Sequence, residues 1–425
     1  MKKSFRGWWI VAACFLTFGI STGFPYYNIA FFFDYFRDDH GWPIRLITLG
    51  APVAVLLTIW AGPIIVPRVS PRLLIIVGTG MTFAAFQWFA RLSGATWEYF
   101  GAWCLYMVGY FLSGPIPHQI IISNWFKEKR GRAMGVTYVG VAIVGSFGNK
   151  LGPWLALQMP YTEALKIMSI VLLAAWPLAV FVLKDKPQDV GQLPDGKEQS
   201  AEAAAPVASA PPKTFGFLLR RPAFWYLLVG SAASIGSIAA VNMHMKFVFE
   251  YQGFVNQAAR DQIWGTASFW VLWSSIGGRL LAGYLADKLP RKYVMLATYL
   301  VVAVAIPTLF LVKPQSTSFV YIFALVFGFA MGADYMLIPL MAADQFGLAT
   351  LARAMSAILP TDTISQFWFP FFVAKLRDWL AGDYRMAMMA VFATAFIGAI
   401  FIGLLPRHAP KDEALHVPEP ERARA

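Results

Sequence analysis

Six ionisable side chains interrupt stretches that are otherwise apolar: His118, Lys150, His244, Arg279, Asp334 and Asp362. An Arg, Lys or Asp near the centre of a lipid-crossing helix costs about 2.5–3.5 kcal/mol. Several of them together need a shared aqueous cavity or mutual pairing. Arginine stays protonated in any surroundings, and its planar fork suits a carboxylate. A carboxyl buried among apolar groups can carry a proton, which makes Asp334 or Asp362 a candidate acceptor. His244 competes with them, because imidazole titrates near neutrality. Lys150 and His118 face this group from the first half of the chain. Tyr26, Tyr27, Trp273 and Trp368 suit the packing of an apolar substrate body. The plainer readings are an Arg279–Asp pair that only closes a helix contact, a His118 that only packs, and a Lys246 that snorkels at the outer end of its span.

Composition says what must position these groups. Of 425 residues, 58% are hydrophobic and 14% charged. A soluble core cannot hide apolar side chains at that density, so lipid is the solvent for much of the surface. Runs of about 20 apolar residues fall near 7–31, 44–66, 72–92, 98–124, 134–158 and 164–183. A second set falls near 223–249, 262–286, 293–312, 318–341, 354–376 and 385–405. The expected domains are therefore an N-terminal six-helix bundle (1–183), a flexible cytoplasmic linker rich in Ala and Pro (184–222), a C-terminal six-helix bundle (223–405) and a tail (406–425). Cys14 and Cys104 lie in apolar blocks and read as buried thiols.

Lys and Arg gather in the segments that share a side with both termini, which predicts cytoplasmic termini. This placement accounts for the net charge of +12 without nucleic acid. Basic inner loops contact anionic lipid instead. No phosphate-binding loop, His-Glu-x-x-His or Gly-x-Ser-x-Gly occurs, so neither an enzyme nor a cofactor is expected, and transport would draw on a gradient rather than ATP.

The chain also repeats itself. GPIIVPRVSPR begins at Gly62 and GYLADKLPRK at Gly283; Arg132-Ala133-Met134 returns as Arg353-Ala354-Met355 at the same offset. At that offset Arg279, Asp334 and Asp362 fall on Thr58, Ser113 and Val141, none of them charged. The halves match in scaffold and differ in chemistry, which concentrates the ionisable machinery in the second bundle.

GYLADKLPRK resembles the loop signature of the major facilitator superfamily, with Pro290 in place of a glycine; the copy at Gly62 has Val66 where the aspartate would fall. NWFKEKRGRAMG, from Asn124 to Gly135, is similar to a stretch of the monocarboxylate transporters and oxalate/formate antiporters. The resemblance implies Arg279 as substrate-anion partner and an aromatic on the tenth span, Tyr335, in the site. It implies a latch of Asp287, Lys288, Arg291 and Arg132 at the cytoplasmic side. The antiporters' second cation in span 11 is missing here, where Asp362 and Gln366 stand, so a monocarboxylate with proton symport fits better than a dianion, unless Lys150 supplies a second cation from the other bundle.

The expected fold is an all-α membrane protein of twelve spans in two pseudo-symmetric bundles. The expected function is proton-coupled transport of a small organic anion across the plasma membrane by a monomer. The alternatives are an exchanger or facilitator of another solute, such as a dicarboxylate or aromatic acid, and a non-transporting sensor.

Overall fold

The computed structural model describes residues 5–196 and 214–407, and the described residues are helical apart from turns and one isolated bridge between Lys313 and Ser316. Twelve helical elements follow one another. The first six are α1 (Gly7–His40), α2 (Ile44–Thr58, continued by Ala61–Ile65), α3 (Pro71–Phe89), α4 (Thr96–Ser113, continued by Pro115–Trp125), α5 (Arg130–Gln158) and α6 (Tyr161–Val182). The second six are α7 (Pro222–Tyr251), α8 (Gln257–Lys288), α9 (Arg291–Leu311), α10 (Phe319–Phe346), α11 (Leu348–Trp379) and α12 (Tyr384–Leu404). Seven are long and apolar enough to cross a bilayer on composition alone: α1, α3, α6, α7, α9, α10 and α12. The other five are interrupted, as α2 and α4 are, or carry polar residues, as α5, α8 and α11 do.

An even number of spans puts both described ends on one side, called here the terminal face. The opposite side is the far face. Residues 184–196, expected within a flexible linker, pack on the terminal face of the first bundle. The backbone N–H groups of Lys127 and Glu128 each donate to Asp195 at 2.9 Å, and the N–H of Arg72 donates to Asp185 at 2.9 Å. The centre of that linker, 197–213, lies outside the described residues, as does most of the tail.

Within each bundle, helices meet backbone to backbone. Where lipid tails are as apolar as leucine, close packing replaces the hydrophobic effect as the force between helices, and small residues permit it. In α8 and α10 a Cβ on Gly278 would sit 1.9 Å from the Phe329 carbonyl oxygen, and one on Gly332 would sit 1.9 Å from that of Ser275. In the first bundle Gly23 of α1 lies on the Val141 carbonyl of α5, where a Cβ would be 2.2 Å away.

The apolar cores show how the bundles meet. In the far half one continuous core joins them, with Phe31 of α1 packed on Trp264 of α8 at 5.1 Å between ring centroids. In the terminal half the cores are separate: one around Ile10, Ile122 and Trp125, the other around Leu227, Met295 and Ile338. Contact between bundles runs mainly through α5 with α8 and α2 with α11. The molecule is closed at the far face and parted at the terminal face.

These seams give a direct expectation. Gly332→Val should lower thermal stability in detergent by about 1–3 kcal/mol, the usual cost of overpacking. Gly277→Ala, with nothing within 4 Å of its Cβ position, should melt close to the parent. Equal melting temperatures for Gly332→Val and the parent would contradict a tight α8–α10 seam.

Candidate functional site

The site is built where α1 loses its regular winding. A wider π-helical turn at Gly19–Gly23 and a tighter turn at Ile29–Phe32 bracket Phe24–Asn28. Pro25 supplies no N–H to this segment, and local irregularity of this kind is common at functional sites. It presents Tyr26 and Tyr27 to the space between the bundles. Their rings lie 5.0 Å apart, and Tyr26 also meets Tyr110 of α4 at 6.2 Å and Phe367 of α11 at 6.4 Å. The Gln366 amide of α11 donates to the Tyr26 hydroxyl, bridging the bundles.

Arg279 stands beside this cluster from α8, with its guanidinium within hydrogen-bonding reach of the Tyr27 hydroxyl. Its Nη1 is buried and has no hydrogen-bond partner. No ion pair of Arg279 occurs among the described residues. Tyr335 of α10 is an electrostatic neighbour of Tyr26, Tyr27 and Tyr110 yet keeps 41% of its surface exposed. Depth together with exposure marks a side chain that lines an open cavity. The structure thus brings Arg279 and Tyr335 together with Tyr26, Tyr27 and Tyr110.

It does not bring Lys150 or Trp273 there. Lys150 donates to Thr266 at 3.1 Å and lies 5.4 Å over the Phe269 ring. Its neighbours on the same face, Phe147 and Trp154, are exposed, so this is the outer flank of the α5–α8 seam. Trp273 is exposed on that flank and packs on Phe269 at 6.0 Å. The reason is helix phase: consecutive residues point about 100° apart. Asn149, one position earlier, is the α5 residue that turns inward.

Both histidines are sealed away from the cavity. His118 sits in the first bundle, with its ring nitrogens 3.0 Å from the Thr17 hydroxyl and 2.8 Å from the Gly114 carbonyl. Its ring stacks on Phe18 at 4.8 Å. His244 lies between α7, α11 and α12, with Nε2 2.8 Å from the Pro370 carbonyl and Nδ1 3.2 Å from the Tyr384 hydroxyl. The carbonyl can only accept, so Nε2 carries the hydrogen and Nδ1 accepts from Tyr384. For His244 a neutral tautomer satisfies both bonds, and full burial among these contacts suits a packing role for both rings.

Asp334 and Asp362 form a buried couple in the second bundle. Ser234 donates to Asp334 at 2.6 Å and Ser231 to Asp362 at 2.7 Å, so two serines one turn apart on α7 hold two carboxyls from α10 and α11. The Tyr299 hydroxyl of α9 lies close to Asp334, but it and Asp334 Oδ1 both lack a bond of good geometry. No cation pairs with either aspartate among the described residues. An Arg279–Asp pair is absent from these contacts, and the pairing serines were not singled out from sequence.

The largest feature that sequence reasoning missed is at the far face. Lys246, expected to snorkel, is only 2% exposed and lies 2.7 Å from Asp34 of α1 and 2.7 Å from Asp261 of α8. Its ammonium also donates to the Phe31 carbonyl at 2.7 Å. Arg260 pairs with the other oxygen of Asp34 at 3.0 Å and with Glu250 at 3.2 Å. Arg37 holds Glu250 through both nitrogens, at 2.6 and 2.9 Å. The Tyr35 hydroxyl donates to Asp261. With Asp38, which pairs with Arg37 at 2.7 Å and Arg260 at 3.9 Å, three cations and four carboxylates thus interlock α1 with α7 and α8. The available signal was the charge pattern at three helix ends: Asp34, Arg37 and Asp38; Lys246 and Glu250; Arg260 and Asp261.

The terminal face places the expected latch residues apart. Arg291 pairs with Asp344 at 2.5 Å inside the second bundle, Lys288 lies 6.0 Å from the Tyr284 ring centroid on its own helix, and Arg132 is exposed. The side chain of Asp287, the centre of the expected latch, lies outside what is described.

Removing one partner from a buried ion pair costs about 3–5 kcal/mol, and each 1.4 kcal/mol is about tenfold in population. Lys246→Met should therefore open the far face. With Cys14 and Cys104 replaced by serine, Ser268→Cys reports this by its reaction with an impermeant maleimide applied from the far side. Labelling should accelerate at least tenfold; an unchanged rate in a folded variant would remove the latch.

Comparison with known proteins agrees with this architecture. The sequence profile described as Major Facilitator Superfamily matches residues 115–370. No curated protein sequence matches. Among solved structures, the chain is similar to a bacterial homologue of the human lysosomal transporter Spinster in an inward-facing, unoccupied conformation. The TM-score is 0.66 at 13% identity, covering 95% of this chain and 97% of that one. The same homologue in an inward-facing, occupied conformation gives 0.63 at 14% identity, covering 96% and 98%. At such identities the likeness is one of fold. The profile spans more than half of the chain, and this protein belongs to the Major Facilitator Superfamily, a transporter of two six-helix bundles in a membrane.

Proposed function

We infer that this transporter moves a small organic monoanion, a monocarboxylate, by proton-coupled alternating access. The observation that carries the reading is the buried, unpartnered Nη1 of Arg279 in the tyrosine-lined space between the bundles. A guanidinium left without an anion in a polar cavity is an incomplete pair, and a carboxylate completes it through two parallel N–H···O bonds. The charge argument favours a single carboxylate. Lys150 lies on the outer flank, so no second cation accompanies Arg279 among the residues that front it. A dianion would bring one charge without a partner.

The proton has a natural carrier in the Asp334–Asp362 couple. Two carboxyls held by serines with no cation leave their charge uncompensated when ionised, which is costly out of water. Coupling needs a group that is neutral in one conformation and reaches water in another. Asp362 suits this best, since it retains a small exposed surface while Asp334 has none.

Lys and Arg are dense on the terminal face, at Arg72, Lys127, Lys129, Arg130 and Arg132 among others. That bias supports cytoplasmic termini in the plasma membrane. The described conformation is then the inward-open one, with the far-face ion pairs as the outer gate. Domain limits at 183 and 223, and a monomeric state, are part of the same reading.

Uptake of a radiolabelled monocarboxylate into proteoliposomes tests it. Arg279→Lys keeps the charge but not the fork and should lose most transport; Arg279→Gln should lose more. Wild-type uptake should rise as the pH on the entry side falls, because the proton travels with the anion, and Asp362→Asn should flatten that slope. Normal uptake by Arg279→Gln would remove the anion site, and pH-independent uptake by the wild type would remove proton symport.

A further inference from the structure

Toward the far face the space between the bundles narrows to a cavity of about 30 Å³ whose lining includes Tyr26, Tyr27, Asn149, Asn242, Trp264 and Ser268. Its polar groups are unfinished. Asn149 is fully buried, and both its Oδ1 and Nδ2 lack a partner; the Trp264 indole N–H, also buried, lacks one too. Turning the amide over changes nothing, since both ends are vacant. Each such orphan costs about 1–3 kcal/mol. The backbone fixes them there: a Cβ on Gly265 of α8 would lie 2.6 Å from the Asn149 carbonyl oxygen, so α8 rests directly on α5 at this depth.

The chemistry of the orphans selects the ligand group. Asn149 offers an acceptor and donors, and Trp264 a donor. A carboxylate only accepts and would leave Asn149 Oδ1 unsatisfied. A hydroxyl donates to Oδ1 and accepts from Nδ2 or from the indole N–H. The cavity has room for a small polar group such as a hydroxyl. No ionisable cation or carboxylate lines the cavity. It is therefore a site for a neutral group.

Its position selects the rest of the ligand. Ser268 precedes Arg279 on α8 by three turns, about 16 Å of helix rise, shortened by the reach of the arginine side chain. Tyr27 borders both places, lining the small cavity and neighbouring Arg279, and Tyr26 meets its ring edge to face. We propose that Asn149 and Trp264 form a hydroxyl-recognising subsite, and that the substrate is a hydroxyaryl monocarboxylate. Its carboxylate meets Arg279, its ring lies along Tyr26 and Tyr27, and its hydroxyl enters the cavity. The substrate class rests on the anion reading of Arg279.

Binding to the purified full-length protein, followed by tryptophan fluorescence, tests both levels. The probes are 4-hydroxyphenylacetate, phenylacetate and 4-carboxyphenylacetate. Wild type should bind the hydroxy acid about tenfold more tightly than phenylacetate, and the dicarboxylate least. Asn149→Leu should lose the hydroxyl preference while still binding phenylacetate. Trp264→Phe, which removes the indole N–H but keeps an aromatic ring, should reduce the preference and guards against misfolding of the first variant. Arg279→Gln should lose both monoacids. Equal wild-type affinity for the two monoacids, with Arg279→Gln still abolishing both, would overturn the subsite and leave the anion site standing. Binding of neither acid, or normal binding by Arg279→Gln, would overturn both.

Discussion

The buried ion network at the far face is the constraint on which the rest of the arrangement depends. Asp34, Lys246, Asp261, Arg260, Glu250 and Arg37 tie the end of α1 to α7 and α8. While they are paired, the far half of the molecule shares one core and the terminal halves stand apart. Buried ion pairs contribute little net stability, because desolvation offsets most of the attraction. That balance suits a gate. When the bundles part, water replaces each lost ionic partner, so the pairs themselves add little to the cost of opening, and the shared apolar core adds the rest. An apolar seal of the same area would have no such compensation.

The contacts inside the bundles are of another kind. Gly278, Gly328 and Gly332 bring α8 and α10 so close that a Cβ would fall 1.9–2.2 Å from a facing carbonyl oxygen. Such seams are shape-locked, and no water takes the place of a displaced backbone. Motion is therefore directed to the surface between the bundles, where charges, the Tyr26–Gln366 bridge and a small polar cavity are the contacts that must be remade. Rigid rocking of one bundle on the other follows from this division of contact types.

The sequence made the scaffold legible because span length and the repeat are one-dimensional signals. Arg279 was legible for the same reason: a lone arginine amid apolar residues is conspicuous. Helix phase was not. Lys150 and Asn149 are neighbours in the chain, and only the angle at which α5 meets α8 decides that the amide faces the cavity and the ammonium the flank. Tyr335 and Asp334 differ in the same way: the phenol fronts the open space and the carboxyl turns toward Ser234. His244 looked reactive by type but became a satisfied packing group through Tyr384 and Pro370, from helices distant in sequence. Lys246 looked peripheral because its partners, Asp34 and Asp261, lie on helices whose ends a linear reading leaves as separate loops.

The asymmetry between the halves has a mechanical meaning. The second bundle holds Arg279 and the Asp334–Asp362 couple, while the first supplies Tyr26, Tyr27, Tyr110 and Asn149. Charge at the cavity is thus confined to one bundle, while neutral hydrogen-bonding groups come from both, Trp264 and Tyr335 of the second included. A ligand held by an ionic contact on one side and by hydroxyl and amide contacts on the other bridges the bundles without adding an ion pair across the moving surface. Its binding can then favour closure at its own depth, while the far-face pairs and the apolar core beside them hold that end shut. Separating the two tasks lets each be changed by different residues, since no member of the ionic network lines the cavity beside Tyr27.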